Sequence, residues 1–323
     1  MPPCGTTPAM CRKHFSKKTT FVAPEPATFR RGKTIHGQDI AMKNNVELHS
    51  RAPMPLVIAH RGARGHAPEN TLTSAELGHE VKADLWELDV NYTKDYKLVV
   101  VHDDTLVRTT NVEEVYPGRP SYRVCDFTLE ELGRLDAGSW YEGRDQFGRV
   151  AAGELSTETL ASFKGLRIPT LEQALELTKR FDWAVNVEIK NHAHLIGHDT
   201  VTKDVLEMIR RFDMVEQVII SSFQHRYLLE CHDLCPEIAT GALVENTRPE
   251  DPVELCRSLG VNAYHPDRLI LAPGDLAALR DAGFAVNVWT VNDMDEAKKL
   301  VEDGASGIIT DFPAACRVAL GRD

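Results

Sequence analysis

The chain has 323 residues, 42% of them hydrophobic and 26% charged, the makeup of a globular protein and not of a disordered, collagenous or coiled-coil one. Its formal net charge of −11 repels polyanions, which excludes nucleic acid as a general partner, and no run approaches the roughly 20 apolar residues of a membrane span. Seven cysteines without CxxC spacing argue against a disulfide scaffold or a zinc ribbon and for a reducing, cytoplasmic location; Cys231 and Cys235, with His225 and His232 nearby, read as thiols on an ordinary helix.

Residues 1–50 carry eight basic side chains against three acidic ones and show no steady apolar period. They read as a disordered, basic N-terminal extension, with the folded domain at 51–323. A secretory signal needs an uninterrupted apolar stretch, and none is present. The lack of acids before Glu25 is compatible with an organelle transit peptide, and a translation start at Met42 or Met54 explains it equally well.

From Leu56 onward β-rich runs alternate with helical patterns. The first run is Leu56–His60, and Asn70 is read as the N-cap of a helix beginning near Thr71. Trp86–Asn91 and Leu98–His102 are separated only by Tyr92 to Lys97, too short for a parallel crossover of about a dozen residues, so they form an antiparallel hairpin. A turn centred on Asp95 and Tyr96 sets His102 directly across from Asp89. A long connection follows, about 104–167, with a helix at Asp126–Leu135, then Gly138-Ser139-Trp140-Tyr141 and a polar part from Glu142 to Lys164.

A capping box at Thr170 and Gln173 opens Leu171–Phe181. The runs Ala184–Lys190, Val218–Phe223, Ala239–Val244, Val261–His265, Ala285–Val291 and Gly307–Thr310 then alternate with amphipathic stretches that include Pro249–Leu259, Gly274–Ala282 and Asp293–Asp303. Setting aside one arm of the hairpin leaves eight parallel strands: an α/β chain folded as a (β/α)8 TIM-type barrel with a small insertion after the second-strand hairpin.

Strand alternation then assigns faces. Glu87 and Asp89 share one face while Trp86, Leu88 and Val90 take the other; Val185, Val187 and Ile189 point outward under helices, and Asn186, Glu188 and Lys190 point inward. Inward polar groups at the C-terminal ends of barrel strands are where active sites of this architecture are built. Three converging carboxylates repel one another and raise each other's pKa unless a cation sits among them, which points to a divalent metal. Oxygen-only ligands favour Mg²⁺ or Ca²⁺ over zinc.

Each of these residues also has a plainer reading. A strand-end His60 can be a turn residue, and Glu87 and Asp89 a solvated strand edge. Arg61 can pair with Glu69 or Asp311, and Lys190 with Glu188. Trp289 can be simple core.

The ordered segments His60-Arg61-Gly62, Pro68-Glu69-Asn70-Thr71, Glu87-Leu88-Asp89, His102-Asp103, Thr105-Leu106, Arg108-Thr109-Thr110, Ile168-Pro169-Thr170-Leu171, Glu188-Ile189-Lys190, Ser221-Ser222-Phe223, Trp289-Thr290-Val291-Asn292 and Gly307-Ile308-Ile309-Thr310-Asp311 resemble the glycerophosphodiester phosphodiesterases from about Leu56 to Pro313. The resemblance implies metal-assisted hydrolysis of glycerophosphodiesters to glycerol 3-phosphate and an alcohol. It implies one divalent cation, calcium or magnesium, on Glu87, Asp89 and Glu188, with His60 and His102 as acid and base. Arg61 and Lys190 are then expected to contact the substrate phosphate, and Trp289 to wall the pocket. Two other readings stay open: a lysophospholipase D-like hydrolase on the same barrel, and a non-catalytic phosphodiester-binding sensor. Head group, oligomeric state and the division of labour between the histidines are left open.

Overall fold

The computed structural model of the chain describes residues 55–322; the basic extension expected at 1–50 lies outside them. One sheet is built from β1 (Leu56–Ala59), β2 (Leu85–Tyr92), β3 (Leu98–Val100), β4 (Ala184–Ile189), β5 (Val218–Ser222), β6 (Ala239–Val244), β7 (Ala263–Pro266), β8 (Ala285–Val288) and β9 (Gly307–Thr310). β1 pairs in parallel with both β9 and β2, which closes eight parallel strands into a barrel. β3 is the antiparallel arm, hydrogen-bonded to the outer half of β2 from Val90 to Tyr92. The helices that return the chain are α1 (Leu72–Glu80), α2 (Leu171–Arg180), α3 (Val201–Arg211), α4 (His225–Leu234), α5 (Pro252–Leu259), α6 (Asp275–Asp281), α7 (Met294–Glu302) and α8 (Pro313–Ala319). No helix among the described residues is long and apolar enough to cross a membrane.

The face assignment follows the sequence. Trp86, Leu88 and Val90 of β2 and Val185, Val187 and Ile189 of β4 belong to the large core shared with Leu171, Ala174 and Leu175 of α2 and Val201 and Val205 of α3. Each such fully buried valine, leucine or isoleucine contributes on the order of 1.5–3 kcal/mol. Trp86 is admitted to that core because its indole N–H donates to Thr178 Oγ1 at 2.9 Å. Inside the barrel the apolar floor is small, formed by Leu56, Ile58, Leu85, Ile219, Ala239 and Ile309. Polar side chains take the layers above it.

Three local expectations are corrected. The hairpin register pairs Val90 with Val100, Asn91 with Val99 and Tyr92 with Leu98, so Val101 and not His102 lies across from Asp89; the Val101 N–H donates to the Asp89 carbonyl at 3.0 Å. The cause is a three-residue loop, Lys94 to Tyr96, closed by Thr93 N–H to Lys97 O at 2.9 Å, with Tyr96 in the left-handed region at φ 56°. Asp126–Leu135 is not one helix but a turn at Val124–Asp126 and a short helix at Leu129–Leu132, started by a Thr128/Glu131 capping box. Asn70 does not cap α1. Thr71 does, in a capping box with Ser74, while Asn70 sits at φ 57° and turns its side chain into the barrel mouth.

The insertion has apolar anchors of its own. Leu106, Val112, Phe127, Leu132 and Leu135 pack with Val99 and Val101, and in its polar part Val150, Leu155, Leu160 and Phe163 gather around Ala67 and Tyr141.

After β1 the chain turns sharply through Arg61 (φ 53°) and Gly62 (φ 83°). A Cβ on Gly62 would lie 2.5 Å from the Ser74 backbone carbon, so glycine is required twice over, for its φ and for the close approach. Gly62→Ala is expected to lower the unfolding free energy by about 1–3 kcal/mol, read as a shifted urea midpoint at unchanged slope; an unmoved midpoint would mean that the α1 backbone yields freely there.

Candidate active site

Parallel pairing of β2 with β4 sets Asp89 beside Glu188 and Glu87 beside Asn186. Glu87, Asp89 and Glu188 are all buried, and one carboxylate oxygen of each lies within 4.8 Å of the others. It is the one cluster of this kind among the described residues. Cys231 and Cys235, by contrast, are buried thiols, and burial pushes Cys235 up to about 11.

Each acid is held from one side and open on the other. Glu87 Oε2 accepts the Arg61 backbone N–H at 2.9 Å, while Oε1 has no hydrogen-bond partner. Asp89 Oδ2 accepts from Asn70 Nδ2 at 2.8 Å, and Asn70 Oδ1 accepts the Asp89 N–H at 3.3 Å. Asp89 Oδ1 is buried without a hydrogen bond; Lys190 Nζ, 3.3 Å away, is in ion-pair range but out of line for one. Glu188 Oε1 accepts from Lys190 Nζ at 2.6 Å.

Burial first, then the neighbouring Asp89 and Glu188, push the Glu87 carboxyl well above the usual range. Glu188 is raised by burial and by Asp89, against the pull of Lys190. Burial also opposes the charge on Asp89, but Lys190, His102 and Arg61 outweigh it and hold that carboxyl low. Oxygen-only donors, two unsatisfied buried oxygens and surplus negative charge together fit one hard divalent cation.

The two imidazoles are each pinned through Nδ1. His60 Nδ1 lies 2.7 Å from Asp311 Oδ1, and an ionised carboxylate only accepts, so Nδ1 carries the proton and Nε2 is left for other partners. Asp311 is steadied in turn by Asn292 Nδ2 at 2.7 Å and by Arg64 at 3.4 Å, and is held at about 2, His60 and Arg64 overriding the effect of its burial. His102 Nδ1 lies 2.6 Å from Asp103 Oδ1. Burial and Arg61 lower the His60 pKa, with Asp311 opposing them, which leaves the ring neutral near pH 7. His60 is buried, whereas the His102 side chain is 31% exposed.

Arg61 does pair with Glu69, Nη1 to Oε1 at 2.8 Å, yet its Nε stays buried without a hydrogen bond, 3.4 Å from Asp89 Oδ2. Lys190 pairs with Glu188 and still faces the cavity. Trp289 is half-buried, donates its indole N–H to the His265 carbonyl at 2.8 Å and meets Phe223 edge-on at 5.6 Å. A cavity of about 530 Å³ is lined by His60, Arg61, Glu87, His102, Glu188 and Lys190, with Trp289 on its wall. Every residue singled out from the sequence is thus at or beside one cavity.

Sequence reasoning assigned no role to Asp103, Arg64 or Arg108, offered Asp311 only as an ion partner of Arg61, where the structure gives it to His60 and Arg64, and took Asn70 for a cap. Glu69 proves to be the hub of the mouth. It accepts from Arg61, from Arg64 Nε at 2.9 Å, and from Arg108 Nη1 and Nη2 at 2.8 and 2.6 Å; Arg108 Nε also donates to Asp103 at 2.6 Å. The adjacent His102-Asp103 pair was a usable signal. His60 and Asp311 stand 251 residues apart, and only the fold joins them.

The profile of the Glycerophosphoryl diester phosphodiesterase family matches residues 60–315. Among curated proteins, the glycerophosphodiester phosphodiesterase of Caldanaerobacter subterraneus is 35% identical over 258 residues, spanning 80% of this chain and 94% of its own. That of Bacillus subtilis is 32% identical over 272 residues, spanning 80% and 84%. Among solved structures, an Oleispira antarctica phosphodiesterase in complex with the product sn-glycerol-3-phosphate superposes with a TM-score of 0.71 at 28% identity, covering 85% of this chain and 99% of that one. The Agrobacterium tumefaciens glycerophosphodiester phosphodiesterase gives 0.64 at 26% identity, covering 82% and 100%.

Proposed function

This chain belongs to the Glycerophosphoryl diester phosphodiesterase family and is a phosphoric diester hydrolase, and from that premise we propose that it cleaves glycerophosphodiesters by two-histidine acid–base chemistry around one divalent cation. The observation that carries the reading is the meeting of three buried carboxylates within 4.8 Å, two of their oxygens unsatisfied, in the cavity that His60 and His102 also line. Glu87, Asp89 and Glu188 hold the cation, Mg²⁺ or Ca²⁺ by the chemistry of the donors. When bound, it supplies charge neutralisation at the phosphoryl oxygens.

The protein's own groups do the rest. Arg61 Nε, buried without a hydrogen bond, donates to a phosphoryl oxygen, and Lys190 supplies a second cationic donor. Of the two imidazoles, one removes the proton from the glycerol 2-hydroxyl as that oxygen attacks phosphorus; the other protonates the departing alcohol oxygen as its P–O bond breaks. Water then opens the cyclic phosphate with the roles exchanged, giving glycerol 3-phosphate. Trp289 walls the pocket. The free thiols at Cys125, Cys231, Cys235, Cys256 and Cys316 support a reducing, cytoplasmic setting.

The test is release of glycerol 3-phosphate from glycerophosphocholine by the full chain. Turnover is expected with Mg²⁺ or Ca²⁺, lost on chelation and regained on adding the ion back. A substrate lacking the 2-hydroxyl is expected to resist cleavage, and equal cleavage of that analogue would exclude the cyclic route. Faster choline release from lysophosphatidylcholine would favour the lysophospholipase D-like reading, and binding without turnover under any ion the sensor.

A further inference from the structure

Beside the main cavity, and sharing Arg61 and His102 with it, lies a second cavity of about 450 Å³ whose other lining residues are Arg64, Asp103, Arg108, Arg144 and Gln146. Its lining carries four arginines against one aspartate, in a molecule that is −11 overall. Three of its four guanidinium groups are already paired: Glu69 takes Arg61, Arg64 and Arg108, Asp89 takes Arg61, Asp103 takes Arg108, and Asp311 takes Arg64. Arg144 is left over. It is exposed, at the end of the short insertion helix Trp140–Arg144, with no acidic partner among the described residues. The insertion is docked at this point through Arg64, whose Nη2 donates to Gln146 Oε1 at 3.2 Å and whose guanidinium lies 5.4 Å over the Phe147 ring. In the main cavity Arg61 and Lys190 are taken up by the carboxylate cluster, and the lining adds Asp104 and Glu245 and the apolar Phe223 and Leu243.

In-line displacement at phosphorus puts the attacking glycerol oxygen and the departing alcohol on opposite sides. With the phosphate at Arg61, beside His102, one half of the substrate enters each cavity. Glycerol carries no charge and gains no Coulombic attraction from guanidinium groups. An alcohol that carries an anion is repelled by Asp104 and Glu245 and attracted to the vestibule.

Resting on the phosphodiesterase reading, we infer that the preferred leaving alcohol bears a second phosphate and that this phosphate sits in the vestibule against Arg144, with Arg64 beside it. The reaction is unchanged: one P–O bond is hydrolysed, and the second phosphate leaves intact on the alcohol. The vestibule contributes binding, so the preference is expressed in KM and not in kcat.

The experiment compares kcat/KM of the full chain on glycerophosphoglycerol, on the same diester phosphorylated at its terminal hydroxyl, and on glycerophosphocholine. At low salt the phosphorylated substrate is expected to exceed the unphosphorylated one by about fivefold, as befits an exposed charge pair, and the choline ester to fall below both. The excess shrinks as salt shortens the screening length. R144E is expected to bring the ratio between the two glycerol esters to one or below, and R144K to keep it above one. Taking the ratio within each variant removes any general loss of fold or activity. A ratio of one in the native chain, or an undiminished preference in R144E, overturns the vestibule while leaving the phosphodiesterase reading intact. Absence of turnover on all three substrates with either ion overturns that reading, and the vestibule with it.

Discussion

Alanine in place of His60 or of His102 is expected to lower kcat for glycerol 3-phosphate release by about 10²–10⁴-fold each, with KM little changed. Neither ring can stand in for the other, because each is fixed by its own carboxylate: Asp311 at 2.7 Å for His60 and Asp103 at 2.6 Å for His102. Asp311→Asn and Asp103→Asn leave the imidazoles present but free to turn and to change tautomer, and a smaller loss of about 10–100-fold is expected. The pH profile separates positioning from a general loss of structure. Asp311 raises the His60 pKa against burial and Arg61, so removing its charge lets that pKa fall further, and the limb of the rate profile that reports His60 moves to lower pH. A D311N enzyme with lower kcat and an unmoved profile would show that His60 does not titrate in the rate. Stopped turnover with intact cooperative unfolding, followed for each variant by circular dichroism, completes the comparison.

These residues also mark how far the sequence could be read. The barrel was legible because its signals are local. A gap of six residues forbids a parallel crossover, and strict alternation in Glu87-Leu88-Asp89 and Asn186-Val187-Glu188 tells which side chains face inward. What failed depended on a single left-handed residue or on distant pairs. Tyr96 at φ 56° adds one residue to the hairpin loop and shifts the register by one, which no propensity of tyrosine announces. Asparagine is favoured both as an N-cap and in the left-handed region, and at Asn70 the second preference prevailed because its amide can satisfy Asp89 on two atoms. His102 reaches the cavity although it lies off the expected register, because β3 ends at Val100 and the chain leaves the sheet there. Glu69 followed a proline and preceded a helix, the position of a surface acid; nothing local shows that three arginines, one of them 39 residues away, converge on it.

Glu69→Gln is expected to cost about 3–5 kcal/mol of folding stability at pH 7, the range for breaking a buried ionic network from one side. The carboxylate is buried, and its oxygens accept four hydrogen bonds from Arg61, Arg64 and Arg108, so an amide would leave guanidinium donors facing its own NH₂. Burial alone would raise the Glu69 pKa, but hydrogen bonds from Arg108 and the charges of Arg61 and Arg64 override it and hold it well below the ordinary range. The sign of the linkage follows from that depression. The folded state binds the proton less readily than the unfolded chain, so this stability is fully present above the unfolded carboxylate pKa of about 4.3 and is lost as pH falls toward the depressed folded value. The gap between native chain and Glu69→Gln in urea unfolding is therefore expected to be constant from pH 7 to about 5 and to narrow below about 4. A gap that stayed constant to pH 3 would mean that the carboxylate contributes through shape and not through charge. Because Arg61 shares this network with the phosphate site, the same substitution is expected to raise KM at pH 7, where the protein remains folded, by freeing a guanidinium that Glu69 now aims at the cavity.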